Sequence, residues 1–170
     1  MLSFFLVLQE KPAGIIAEND ITPVESERMD LIYRGQKKEY ISRNVTHVKV
    51  LPGVKLIDMW AFQDCTKLRN VELCQGVEKI GKWAFANCTS LQDIAIPSTV
   101  KVIDDQAFEY CSQLSNVELC EGLEKIGKLG FQECTSLRDV IIPSSVKDFD
   151  VQVFKGCSMH ITKKSRGTLR

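Results

Sequence analysis

Seven cysteines are the residues of this sequence best suited to redox or metal chemistry. Five of them recur at intervals of 23 residues, at Cys65, Cys88, Cys111, Cys134 and Cys157. Because no two cysteines are separated by only two residues, the C-x-x-C pattern of zinc sites and dithiol centres is missing. A cysteine that returns at one apolar position of a repeat is best explained as a small buried hydrophobe. The spacing therefore predicts no metal site.

Cys74 and Cys120 stand apart from that row and lie 46 residues from each other. In a stack of repeats they would be separated by two strand spacings, about 10 Å. A disulfide needs Cα atoms within about 7 Å, so these two cysteines cannot bridge each other. Unpaired thiols favour a reducing compartment. They also leave open a function of another class, that of a thiol-dependent redox protein using Cys74 or Cys120.

Bases and nucleophiles are present but badly distributed for catalysis. The two histidines, His47 and His160, stand at opposite ends of the repeated region, so they cannot share a triad or a metal ion. A hydroxyl follows each cysteine of the 23-residue row, at Thr66, Thr89, Ser112, Thr135 and Ser158. Equivalent hydroxyls without a base fit turn chemistry better than nucleophilic catalysis. We therefore expect no enzymatic activity and no cofactor.

These side chains are positioned by a gapless 23-residue repeat, V-x-x-I-x-x-x-A-F-x-x-C-x-x-L-x-x-V-x-L-(C/P)-x-x, in which Val54 is position 1. Position 9 is always phenylalanine, at Phe62, Phe85, Phe108, Phe131 and Phe154. A residue that occurs once per coil meets its own copy in the next coil, so these rows predict ladders inside a solenoid core. Trp60 and Trp83 share position 7 and are expected to stack. The copied unit is a pair of repeats, because residues 54–76 match residues 100–122 at 14 of 23 positions.

Each repeat is expected to contain two kinds of element. Positions 15–20, such as Leu68–Leu73, alternate apolar and polar residues as a strand does. Positions 5–12, such as Asp58–Cys65, carry Ala, Phe and Cys at i, i+1 and i+4, which predicts a short helix or helical turn with one buried face. Position 2 alternates in sign from coil to coil, at Lys55, Glu78, Lys101, Glu124 and Lys147, which would set opposite charges side by side.

The string I-x-x-x-A-F-x-x-C-x-x-L-x-x-(V/I)-x-(L/I)-P closely resembles the BspA-like class of leucine-rich repeats over roughly residues 45–161. The resemblance implies a mostly β, right-handed solenoid of about five coils, with short helices and with parallel strands on its concave face. It also implies a protein or a surface as the binding partner. Two features depart from the pattern: Cys74 and Cys120 replace proline, and Met159, His160 and Ile161 break the strand pattern of the last coil.

Four segments follow from this organisation. Residues 1–29 show no sustained period and are expected to be irregular or disordered. Residues 30–53 form an N-terminal cap and a partial first coil, and the stretch from Asp30 to Tyr40 is the candidate cover for the ladder ends. Residues 54–161 form the solenoid, and residues 162–170 a basic tail.

The predicted function is a non-enzymatic interaction module that binds a protein through the concave strand face. Its candidate binding residues are Arg69, Asn70, Glu72, Gln92, Asp93, Asn116, Glu118, Arg138, Asp139 and Ile141. Ala95 and Ser115 complete the same rows. A secreted or cell-surface adhesion module is the alternative.

Charge and hydropathy limit the other classes of partner. The chain carries 22 basic and 22 acidic residues, which gives a formal net charge of zero. A protein that neutralises many phosphates needs a basic surplus, so nucleic acid is not an expected partner. The longest apolar run, Leu2–Leu8, is shorter than the roughly 20 residues that span a bilayer. A small-molecule substrate is not expected, and the location leans to the cytoplasm with secretion as the alternative.

Overall fold

The computed structural model describes residues 30–35, 41–147, 149–158 and 160–163. The predicted irregular segment 1–29, residues 36–40 of the candidate cap and residues 164–170 of the basic tail lie outside the described residues. In chain order the strands are β1 (Asp30–Tyr33), β2 (His47–Val50), β3 (Leu56–Ile57), β4 (Asn70–Glu72), β5 (Lys79–Ile80), β6 (Asp93–Ile96), β7 (Val102–Ile103), β8 (Asn116–Leu119), β9 (Lys125–Ile126), β10 (Asp139–Ile142) and β11 (His160–Lys163). The described chain is a mostly β parallel solenoid with almost no helix.

The strands form three parallel sheets. The largest has the order β1-β2-β4-β6-β8, and its register pairs residues one repeat apart, as in Asp93 with Asn116. Its continuous pairing from β2 to β8 covers about three turns, fewer than the five coils predicted. β10 and β11 form a separate pair, and β3, β5, β7 and β9 form a third sheet of two-residue strands. The long strands begin at position 17 of the repeat, two residues later than predicted.

In the four repeats from Val54 to Ser145, positions 5–12 form turns and not the predicted short helices, whereas in the last repeat they include a 3₁₀ helix. Positions 7 and 11 of these four repeats have positive φ, for example 57° at Gln106 and 60° at Tyr110. The N–H group at position 9 donates to the next coil and not along a helix, as Phe85 N–H donates to the Ala107 carbonyl at 2.8 Å, while the N–H groups at positions 8 and 10 close turns within their own coil. The buried face was predicted correctly, since Ala84, Phe85 and Cys88 are all buried. The one helix of the described chain is a 3₁₀ helix, Val151–Phe154.

The phenylalanine row forms the predicted ladder in the core. Four successive ring pairs stack with centroids 5.1–5.5 Å apart and interplanar angles of 2–12°. At the N-terminal end, Tyr33 packs edge-on against Phe62 at 5.1 Å and is almost fully buried. Tyr33 lies on β1, which pairs with β2 as a further strand of the largest sheet. The apolar end of the ladder is thus covered by an aromatic side chain.

The last coil forms a strand although its sequence breaks the strand pattern of the repeat. β11 pairs with β10 in parallel, with Asp139 opposite His160. These two residues are 21 positions apart instead of 23, so the last coil is shorter by two residues and the repeat frame misaligns its strand. The mismatch of the pattern at His160 and Ile161 is therefore a change of register and not a loss of pairing.

Gly81 marks a close approach between neighbouring coils and supports a first prediction. A Cβ atom at this residue would lie 2.7 Å from the Ile57 carbonyl oxygen and 2.9 Å from the Met59 nitrogen, both backbone atoms. Gly81→Ala should therefore lower the free energy of unfolding by about 1–3 kcal/mol, as overpacking does. Urea unfolding measures this. The control is Asp58→Ala, at the same position of the preceding repeat, where a Cβ atom is already accommodated. It should lower the free energy of unfolding by less than Gly81→Ala does, and equal losses would contradict the close approach at Gly81.

Candidate functional site

The outward side chains of four neighbouring strands form one continuous surface, here called the polar strand face. Its members are Asn70, Glu72, Asp93, Ala95, Asn116, Glu118, Asp139 and Ile141. All are exposed, while the residues between them point inward and are buried, as strand alternation requires. The structure therefore brings together eight of the side chains that the sequence assigns to the strand face.

Negative charge is distributed along this face with one carboxylate on each strand. Asparagine and aspartate alternate at position 17, whereas position 19 carries glutamate only on β4 and β8. The carboxylates thus follow a zigzag, Glu72 on β4, Asp93 on β6, Glu118 on β8 and Asp139 on β10. Because each row skips a strand, like charges never face each other on adjacent strands, where they would be destabilising.

Few groups of the described chain neutralise this zigzag. Lys49 on β2 places its Nζ 3.6 Å from a Glu72 carboxylate oxygen, and both side chains are mostly exposed. Asn116 donates its side-chain N–H to an Asp93 carboxylate oxygen. On the same strand as Lys49, His47 Nδ1 lies 3.8 Å from Asp30 Oδ1 and 3.0 Å from Thr46 Oγ1. Among the residues that the structure describes, neither Glu118 nor Asp139 forms an ion pair with a cationic side chain.

A shallow depression of about 620 Å³ lies over the centre of the face. Ala95 forms part of its lining between Glu72 and Glu118, so the smallest side chain of the row leaves the space open. A second depression of about 440 Å³ adjoins it and includes Ile141 and Pro143. Ile141 is 59% exposed, which sets one large apolar side chain beside the carboxylates.

The position 16 side chains predicted for the site lie at the edge of this surface. Arg69, Gln92 and Arg138 are exposed and Ser115 is half-buried. They precede the strands and are absent from the described lining of both depressions. Their backbone groups hold the coils together, as Ser115 N–H donates to the Gln92 carbonyl at 2.8 Å.

The 23-residue cysteine row is a hydrogen-bonded part of the core. Each of four thiols donates to the carbonyl of the phenylalanine in the preceding coil, with Sγ–O distances of 3.0–3.2 Å from Cys88, Cys111, Cys134 and Cys157. That carbonyl already accepts the backbone N–H of the cysteine in its own coil, as Phe85 does from Cys88. Burial raises the pKa of Cys111 to about 12 and that of Cys65 to about 11. The sequence predicted the burial but carried no signal for the second hydrogen bond.

Comparison with known proteins agrees with this architecture. A family model described as BspA type Leucine rich repeat region matches residues 36–160 in six copies. The chain belongs to the BspA-type leucine-rich repeat family. A comparison with curated proteins gives no match.

Solved structures of leucine-rich repeat proteins share this fold. A leucine-rich repeat protein from Bacteroides ovatus ATCC 8483 is 28% identical, with a TM-score of 0.68 over 79% of this chain and 36% of that one. The T. pallidum leucine-rich repeat protein is 30% identical, with a TM-score of 0.64 over 79% of this chain and 62% of that one. A leucine rich cell surface protein from Faecalibacterium prausnitzii A2-165 is 25% identical, with a TM-score of 0.54 over 81% of this chain and 43% of that one. This BspA-type chain therefore spans less than two thirds of these relatives.

The remaining candidate chemistry of the BspA-type repeats is dispersed. All seven cysteines are free thiols. Cys74 is half-buried and donates its Sγ–H to the Leu51 carbonyl at 3.1 Å, whereas Cys120 is exposed. The hydroxyl row bonds between coils, as Thr89 Oγ1 donates to the Thr66 carbonyl at 3.4 Å. Within the described ranges no group of three or more His, Cys, Asp and Glu residues could hold a metal ion.

Two further features of the repeats bear on partners. Trp60 and Trp83 stack as predicted, with centroids 5.8 Å apart, and the Lys82 Nζ lies 4.1 Å from the Trp83 ring centroid. Trp60 remains 54% exposed. No helix in the part of the chain that the structure describes has the length and apolar character needed to cross a membrane.

Proposed function

We propose that this chain is a non-enzymatic interaction module that binds a protein partner through the polar strand face, on the concave side of the solenoid. The observation that carries the proposal is the 620 Å³ depression over an exposed sheet face whose side chains make few contacts with one another. Solenoids commonly bind through an extended surface of this kind. Ile141 supplies an exposed apolar contact beside the charged zigzag.

A finer account of the fold belongs to the same proposal. We infer a right-handed solenoid of five coils, although continuous strand pairing covers fewer turns. The count is supported by the phenylalanine stack, which continues past the last paired strand of the largest sheet through Phe131 and Phe154, with centroids 5.5 Å apart. β10 also lies next to β8, which keeps the polar strand face continuous.

Filling the depression should abolish partner capture without disturbing the core. Ala95→Phe adds a bulky side chain at an exposed residue in the centre of the face, and Gln113→Phe adds the same side chain at an exposed residue outside it. Proteins retained by the immobilised chain from a lysate of the source cells would be quantified by mass spectrometry. Natural partners are the proteins that both the unaltered chain and Gln113→Phe retain. Ala95→Phe should retain at least about tenfold less of them, as expected for a change at a central interface residue. Equal capture by both variants would remove the polar strand face as the binding site.

A surface adhesion module is the second candidate function. It is supported by the Faecalibacterium prausnitzii relative, which is described as a cell surface protein. An adhesion module must be accessible from outside, so protease treatment of intact cells should digest it while cytoplasmic markers survive. If the protease does not digest the chain in intact cells, the adhesion function is rejected and the chain binds its partner inside the cell.

A further inference from the structure

We propose that the partner segment held by the polar strand face is a cationic, extended segment of another protein, with lysine or arginine side chains about 9.5 Å apart along one side. This inference rests on the proposed function and names the chemistry of its partner. It draws on three properties of the carboxylate zigzag: its sign, its spacing and its openness.

The carboxylate zigzag carries charges of one sign, whereas other charged rows of the repeat carry both signs. At position 2 the charge alternates, and Lys55 Nζ lies 2.8 Å from Glu78 Oε1. In the sheet of short strands, Lys79 Nζ lies 2.8 Å from Asp104 Oδ2. Each of these two lysines lies against a carboxylate of the described chain. Across β4, β6, β8 and β10, by contrast, the charged members of the polar strand face are all carboxylates, so a positive partner is the one that complements it.

The distance between carboxylates two strands apart fits an extended polymer with several charges better than a single metal ion. Glu72 and Glu118 lie two strands apart, which at the usual strand separation is about 9.5 Å, and Asp93 and Asp139 are related in the same way. A single Ca²⁺ binds its oxygen ligands at about 2.3–2.6 Å, so two such carboxylates cannot share one ion. Cationic side chains carried on a backbone can meet them one at a time.

An extended backbone running along the solenoid, across the strands, matches this spacing. A polyproline II segment has three residues per turn and rises about 3.1 Å per residue, so every third side chain points the same way about 9.3 Å further on. Ala95 leaves room for the backbone of such a segment between Glu72 and Glu118. Lys49, which lies 3.6 Å from Glu72 with both side chains mostly exposed, limits the zigzag at the β2 side, so the cationic segment extends from Glu72 across β6, β8 and β10.

The probe for this surface is a fluorescein-labelled (Pro-Pro-Lys)₄ peptide, whose lysines recur every third residue. Its binding to the full chain is measured by fluorescence anisotropy. The unaltered chain should bind it, and the affinity should fall as salt rises because the charges are exposed. The double variant Glu72→Gln with Glu118→Gln should weaken binding about tenfold, as the loss of two exposed ion pairs predicts. The matched control, Glu78→Gln with Glu124→Gln, removes two carboxylates at the same 46-residue separation from position 2 and should bind as the unaltered chain does.

Three results would overturn the inference. One is the absence of binding, another is an equal loss in the control variant, and the third is equal affinity for the isomer Pro₄-Lys₄-Pro₄, which has the same composition without the spacing. A further outcome compares the unaltered chain with a variant in which Lys164, Arg166 and Arg170 are all changed to glutamine. If only this variant binds the peptide, the occupant of the polar strand face is the chain's own basic segment and not another protein. Loss of natural partners with Ala95→Phe but not with Glu72→Gln and Glu118→Gln would keep the proposed function and reject the cationic partner.

Discussion

Phe108→Ala is expected to lower the free energy of unfolding by about 3–5 kcal/mol, the range for truncation of a buried aromatic residue. Phe108 is completely buried. Its ring stacks on Phe85 at 5.2 Å and on Phe131 at 5.1 Å, so the truncation removes contacts in two directions at once. The cavity would lie in the middle of the ladder, where neither end of the solenoid can relax to fill it.

Urea unfolding followed by circular dichroism and by tryptophan fluorescence measures this loss. The unfolding transitions seen by the two probes must coincide if a single free energy of unfolding is to be derived, because repeat arrays can unfold in separate parts. Tyr110→Ala is the matched control in the same coil, since it truncates an aromatic side chain that is 46% exposed. The control should cost far less than Phe108→Ala. A Phe108 variant as stable as the control would contradict the ladder as the source of stability.

The cysteine row should make the chain increasingly unstable in alkaline solution. Burial raises the pKa of Cys111 from the ordinary 9.0 to about 12, and burial also raises the pKa of Cys88. Below pH 9 both the folded and the unfolded chain keep these protons, so the stability contribution is complete there. Above pH 9 the unfolded chain loses protons that the folded chain retains, and stability falls until pH 12. Cys111 alone should remove about 2 kcal/mol between pH 8 and pH 10.5.

Comparison with Cys111→Ala isolates this effect from the titration of lysines and tyrosines. The free energy of unfolding of both proteins is measured from pH 7 to pH 10.5. The variant is less stable at pH 7, because the thiol hydrogen bond to the Phe85 carbonyl is lost. Above pH 9 its stability should decline less steeply, by about 1.4 kcal/mol per pH unit. Parallel curves would mean that Cys111 is not protonated in a buried site.

The core of this fold was predictable from the sequence because its residues recur at the same positions of each repeat. Phe85 and Cys88 recur at one spacing, and a stack of coils is the arrangement that brings each residue against its copies. The turns were not predictable by the same reasoning. Positive φ is usually signalled by glycine or asparagine, whereas here Trp60 and Leu129 adopt it, with φ of 63° and 57°. Pairing between coils holds these residues in a conformation that their side chains do not favour.

The candidate site was predictable in composition but not in shape. Strand alternation identified Glu72, Asp93 and Glu118 as outward side chains, and the structure places them on one exposed face. The depression depends on Ala95 being smaller than its neighbours and on the packing of the coils, which no periodic pattern encodes. The third sheet was missed because strands of two residues, such as Lys79–Ile80, are too short to show alternation.

The hydrogen bonds between the turns of successive coils give one side of the solenoid a direction. In the row formed by positions 7, 9 and 11, each N–H points to the following coil, as in Phe62 to Ala84, Phe85 to Ala107 and Phe108 to Gly130. The peptide dipoles of this row therefore add along the stack, with the positive pole towards the last coil, the reverse of an α-helix. The carbonyl groups of this row point towards the first coil and its N–H groups towards the last, so the row is directional. Copies that met end to end along this row would join head to tail, the kind of contact that grows into filaments unless it closes into a ring.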